Sequence, residues 1–127
     1  MRPIRVHALV LALAVLPACI SPTEFRLQGP LSIEAEGGSL QLGNHTRETV
    51  YTFVVERSSA ALINWAPCTD PAQCDGIAPN QRRRIPYSRI TGYEPGEHEA
   101  IVYWWHLEAR RGGGFRPDRI RAEVVRL

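Results

Sequence analysis

Three cysteines, four histidines and a run of three arginines are the residues of this 127-residue chain whose types could do chemistry. Cys68 and Cys74 stand as Cys-x5-Cys. Zinc would need further ligands at short spacing, and a dithiol redox centre would need Cys-x2-Cys. The pair therefore reads as a disulfide, a bond that persists in an oxidising compartment. Its loop is short, which puts the chain-entropy stabilisation at about 2–2.5 kcal/mol. His7 falls in the apolar N-terminal segment and His45 in a turn, while His98 and His106 are eight residues apart. On one extended strand that spacing separates them by roughly 26 Å, too far to share a metal. No His-x3-His or His-Glu-x2-His spacing occurs, so neither a metal nor a cofactor is expected. Asp70 and Asp75 flank the cysteine loop without the glycine-centred spacing of a calcium loop.

Nucleophilic catalysis needs a hydroxyl or thiol beside an oriented base. The chain has no Gly-x-Ser-x-Gly, and the two loop cysteines are committed to each other. A site assembled in space, for example from His106 and a serine, stays as the enzymatic alternative. Glu97 and Glu99 share the solvent face of a strand and read as surface charge. Arg82, Arg83 and Arg84 have two readings. One is a charged edge strand that discourages edge pairing. The other is a contact for lipid phosphate or an acidic protein, aided by Arg110, Arg111 and Arg116. Trp104 and Trp105 are neighbours and point to opposite sides of a strand. One belongs to the core, and Trp104 is taken as the candidate surface anchor of a partner site; the competing reading buries both.

All 15 basic residues are Arg. From Cys19 onward 13 Arg face 13 acids, so that part of the chain is formally neutral and ill suited to nucleic acid, whose binding rests on neutralised phosphates. The charge is uneven along the chain. Residues 19–80 carry 3 Arg and 7 acids, and residues 81–127 carry 10 Arg and 6 acids.

The N-terminus supplies an address. Arg2 and Arg5 precede an apolar run from Ala8 to Leu16, which is too short to span a bilayer and has the length of a signal-peptide core. Leu16-Pro17-Ala18-Cys19 resembles the lipobox of bacterial lipoproteins. The resemblance implies cleavage before Cys19, a diacylglycerol on its thiol and acylation of the new amino group. Two or three chains anchor firmly where one would not. Residues 1–18 are then signal peptide and residues 19–30 the lipidated Cys with its tether. The 109 residues from Cys19 suit one domain, set at 31–127. Ile20 stands where the resemblance places an Asp in inner-membrane-retained lipoproteins of enteric bacteria. Outer-membrane placement in the cell envelope is therefore expected.

Strands must position these residues, because no segment has a helical period. Leu31 to Glu36 alternates apolar and polar, and Gly37-Gly38 breaks it. Ser39 to Leu42, Thr49 to Val55, Ala60 to Ala66, Arg82 to Pro86, Glu97 to Ala109 and Ile120 to Leu127 complete about seven strands. Thr49 to Val55 is apolar on both faces and reads as central. Pro86 puts Arg82 to Pro86 at an edge. The pattern of Glu97 to Ala109 changes face midway, which predicts a bulge or strong twist near Tyr103.

Such strand density suggests an all-β sandwich. The segment from Ile90 through Tyr93, Pro95-Gly96 and His98 to Val102 resembles the corner before strand F of fibronectin type III and immunoglobulin-like domains, with His98 where many carry Tyr. The expectation is an immunoglobulin-like β-sandwich working as a non-enzymatic binding or structural module of the envelope. Alternatives are a small hydrolase or transferase, and an inhibitor-like domain presenting the Cys68–Cys74 loop.

Overall fold

The computed structural model describes residues 25–96 and 98–127. The signal segment, Cys19 and Glu97 lie outside the described residues.

Alternation along Leu31, Ile33 and Ala35 builds β2 (Leu31–Glu36), and Leu40 with Leu42 builds β3 (Ser39–Asn44). They form a hairpin closed by Gly37 and Gly38, whose φ of 57° and 75° is the left-handed pair that a two-residue hairpin turn requires. Before them lies β1 (Phe25–Leu27), and β6 (Arg82–Pro86) follows later in the chain. These four make one antiparallel sheet in the order β1-β2-β3-β6. The second sheet runs β10-β7-β4-β5, from β10 (Arg121–Arg126), β7 (Glu99–Trp105), β4 (Val50–Glu56) and β5 (Gly76–Ile77). A separate hairpin pairs β8 (Leu107–Ala109) with β9 (Phe115–Pro117), and Tyr87–Arg89 forms one 3-10 turn.

One apolar cluster joins the two sheets. Leu31, Ile33, Ala35, Leu40 and Leu42 come from the first, and Val50, Val54, Ala100, Val102, Trp104 and Val125 from the second. Burying a side chain of this size contributes roughly 1.5–3 kcal/mol. The protein is therefore all-β, with antiparallel sheets about a shared core.

Backbone bonds define two ends. At the first, Phe25 pairs with Ala35, Tyr87 N–H donates to Gly38 C=O, Thr91 bridges to Val55, and Leu127 N–H donates to His98 C=O. At the second, His45 N–H donates to Pro30 C=O, the buried Asn44 amide donates to Ile77 and Glu48 C=O, and the β8–β9 hairpin departs. The described chain thus enters at the end opposite the hairpin.

Several expectations need correction. Ala60 to Ala66 is not a strand: residues 57–62 are turns and the rest is irregular. One of its apolar side chains serves another purpose. Trp65 lies on the outer face of the second sheet, stacked 4.6 Å from Phe53 and tilted against Tyr103 at 4.8 Å. The long strand breaks at His106 and keeps its register through Tyr103, because Glu99 to Trp104 pairs continuously with β10 and Ala100 to Trp105 with β4. The pattern change reflects two buried faces. Ala100, Val102 and Trp104 face the core, and Tyr103 and Trp105 face the covering segment. The tether assigned to residues 19–30 ends earlier than expected, because β1 already pairs with β2. Among the described residues ten strands replace the expected seven or so, the extra ones being two or three residues long.

Candidate functional site

Strand β6 ends its sheet, so one side of it is open. Which groups face that side follows from its bonds. Asn44 N–H donates to Gln81 C=O, and Tyr87 N–H donates to Gly38 C=O. Backbone polar groups alternate sides along a strand. Gln81, Arg83, Ile85 and Tyr87 therefore face β3, whereas Arg82, Arg84 and Pro86 face the open edge. Pro86, which has no N–H, sits where no ladder bond is lost.

Side chains alternate in a different plane. Arg83 and Ile85 lie opposite Leu42 and Leu40 and point inward, while Arg82 and Arg84 lie opposite Gly43 and Gln41 and point outward. Arg83 crosses to the other sheet. Its guanidinium donates to Asp75 C=O at 3.0 Å, to Gly76 C=O at 2.8 Å and to the Asp75 carboxylate at 2.6 Å. This half-buried fork ties the edge strand to β5 and to the loop that ends at Cys74. Arg84 Nε donates to Ser39 Oγ at 2.9 Å. Among the described residues, Arg82, Arg84 and Arg89 form no ion pair. Beside the edge opens a cleft of about 490 Å³, whose walls include Thr52, Val54, Arg83, Ile85 and Arg89. Its lining mixes Arg83, Arg84 and Arg89 with Asp75 and with the apolar Phe53, Val54 and Ile85.

The other expected site residues lie elsewhere. Arg110 and Arg111 sit at the β8–β9 tip beside a different recess, so they do not extend the β6 patch. Arg116 is paired with Glu108. Trp104 is 4% exposed and Trp105 2% exposed, so the proposed surface role of Trp104 does not hold. Trp104 is packed in the core beneath Arg121, whose guanidinium carbon lies 4.5 Å from the ring centroid, and its indole N–H has no hydrogen-bond partner among the described residues. Trp105 Nε1 donates to Cys68 C=O at 3.2 Å. Cys68 and Cys74 are bonded to each other, as their spacing suggested. The N-terminal side of that loop is thus fastened to the sheet and its C-terminal side to Arg83.

Sequence reasoning missed one pair. Ser32 Oγ lies 2.9 Å from His45 Nε2, in space left free by Gly43. A Cβ on Gly43 would fall 2.5 Å from that hydroxyl. The signal was a glycine inside a strand, which often marks a close approach. Ser32 is 6% exposed, so its hydroxyl is a poor nucleophile for any external substrate. His106 is also buried. Its Nδ1 donates to Thr49 C=O at 3.0 Å, and its backbone N–H donates to Asp118. Asp118 in turn accepts from Arg119 N–H and the Arg121 guanidinium. Burial pushes the Asp118 carboxyl up, but these donors outweigh it and hold the group below its usual range. His106 and Asp118 therefore work as a latch where the hairpin leaves the sheet.

Among the described residues no three His, Cys, Asp or Glu side chains gather as metal ligands, and no helix is long and apolar enough to cross a membrane. Comparison with family models, characterised proteins and solved structures found no match to this chain.

Proposed function

We propose that this chain is a bacterial lipoprotein, acylated at Cys19 and held at the envelope, with the outer membrane favoured. Its folded part is an immunoglobulin-like β-sandwich that acts as a non-enzymatic binding module. Strand order supports the fold reading. Leaving out β1 and the β8–β9 hairpin, the sheets run β2-β3-β6 and β10-β7-β4-β5. Lettered in chain order, they match A-B-E and G-F-C-C′ of fibronectin type III domains. A fold of this kind names no activity by itself.

The observation that carries the binding reading is the β6 edge. Its two outward arginines have no ion-pair partner among the described residues, and the cleft beside them adds Arg89, with its Asp75 already neutralised by Arg83. An exposed charge of this kind adds little to stability, so recognition is the better account of it. The envelope reading is tested by fractionation. Cys19→Ser should move the protein from the membrane to the soluble periplasmic fraction, and mass spectrometry of the wild type should show acyl chains. A membrane-bound Cys19→Ser protein, or an unacylated wild type, would remove the anchor.

A further inference from the structure

We propose that the open edge of β6 binds an extended acidic peptide segment of a partner protein by adding it as a strand to the β1-β2-β3-β6 sheet. The proposal rests on the binding-module reading and names its partner chemistry. Three observations carry it. Among the described residues the edge is unpaired, and it presents the N–H and C=O of Arg82 and Arg84 and the C=O of Pro86. The side chains flanking those groups are cations without ion-pair partners among the described residues. The adjoining cleft provides apolar wall at Ile85 and Val54 and a further cation at Arg89, and its Asp75 is already paired with Arg83.

The geometry dictates a pattern in the ligand. Directly opposed residues on neighbouring strands put their side chains on the same face. Residues opposite Arg82 and Arg84 therefore carry side chains beside those arginines, where Glu or Asp is favoured. The same residues turn their own N–H and C=O toward β6, because Arg82 and Arg84 do. The intervening residues point into the cleft between Arg83 and Ile85, where a small apolar side chain fits. A neutral or basic strand gains the same backbone bonds but meets uncompensated positive charge, so the arginines select as well as attract. Main-chain bonds supply affinity and alternate side chains supply specificity.

The test uses the full chain in detergent and an eight-residue, end-blocked peptide alternating Glu and Val. Two further peptides carry N-methyl groups, one on every Glu amide and the other on every Val amide. Strand addition requires the Glu amides and leaves the Val amides pointing outward. Methylating Glu should weaken binding about tenfold or more, since several backbone bonds are lost, whereas methylating Val should change it by less than about threefold. Amide hydrogen exchange should slow at Arg82 and Arg84 on binding, with no added slowing at Arg83 and Ile85, which already face β3. The Arg82→Glu/Arg84→Glu variant leaves the Arg83 fork in place. It should lose the acidic peptide and gain an alternating Arg-Val peptide, which excludes simple unfolding as the cause.

Equal loss with both methylated peptides, or uniform slowing along 82–85, would overturn strand addition. Failure of the acidic peptide to bind at low salt would also overturn it, as would binding to anionic lipid vesicles that the peptide does not compete away. None of these outcomes touches the anchor, which stands or falls with Cys19→Ser.

Discussion

Glu56 keeps its charge in a place that penalises charge. It is 2% exposed at the end of β4. Burial pushes its carboxyl up, but Ser58 Oγ, Ser58 N–H and Ser59 N–H all donate to it, and their sum holds its pKa at about 2. A carboxylate this well supplied with donors favours its charged form. The sign follows directly. The folded-state pKa lies below the unfolded one, near 4.5, so the stabilisation is complete above pH 4.5 and fades as pH falls toward 2. Melting temperature should therefore hold level from pH 7 to 5 and drop between pH 4.5 and 2, with Asp118 acting in the same direction. Glu56→Ala should cost about 1–3 kcal/mol at pH 7, by leaving the turn's donors unpaired, and should flatten that acid slope. An acid slope unchanged in Glu56→Ala would assign it to other carboxylates.

The shortest strand depends on a missing side chain. β5 holds only Gly76 and Ile77, yet it closes the sheet against Val50 and Tyr51. A Cβ on Gly76 would lie 2.4 Å from Thr49 Cγ2 and 3.0 Å from a Tyr51 ring carbon. Gly76→Ala should destabilise by about 1–3 kcal/mol in urea unfolding, the range for overpacking. Gly112→Ala, where no heavy atom lies within 4 Å, should stay within about 0.5 kcal/mol of wild type. Strands whose pattern reflects one buried face were legible from sequence, and β2 and β6 have the expected bounds. Segments packed for other reasons were not. Within Ala60 to Ala66, Trp65 covers a sheet that already has its strands while Leu62 stays exposed, and period-two reading cannot separate covering from pairing. β1, β5 and β9 are too short for any period to register. The arginine run was legible as an edge, but the unused backbone groups at that edge became assignable only with the β3 register.

At the scale of the molecule, the charge division of the sequence does not survive folding. The acidic first part contributes β1 to β5 and the basic second part β6 to β10, yet each sheet draws on both. Arg83 meets Asp75 and Arg57 meets Glu99 across that division. What remains is local, at the β6 edge and the hairpin tip.

The same interleaving has a kinetic consequence. β4 pairs with β7 by joining residues as far apart as Tyr51 and Trp105, and β3 pairs with β6 across Gly43 and Arg82. Neither four-stranded sheet is complete until loops of about 40–50 residues have closed, and such non-local pairing gives folding times of roughly milliseconds to seconds. The Cys68–Cys74 bond lies within both loops but bypasses only the few residues between the two cysteines, so it shortens either search very little. Stopped-flow tryptophan fluorescence should show reduction moving the unfolding arm of the chevron more than the folding arm. A folding arm slowed more than about tenfold by reduction would mean that the loop organises the nucleus. While the chain waits, Val50 to Glu56, its most aggregation-prone strand, stands unpaired. A protein with this topology needs its partner β7 to arrive before another copy's β4 does, and refolding yield should fall as chain concentration rises.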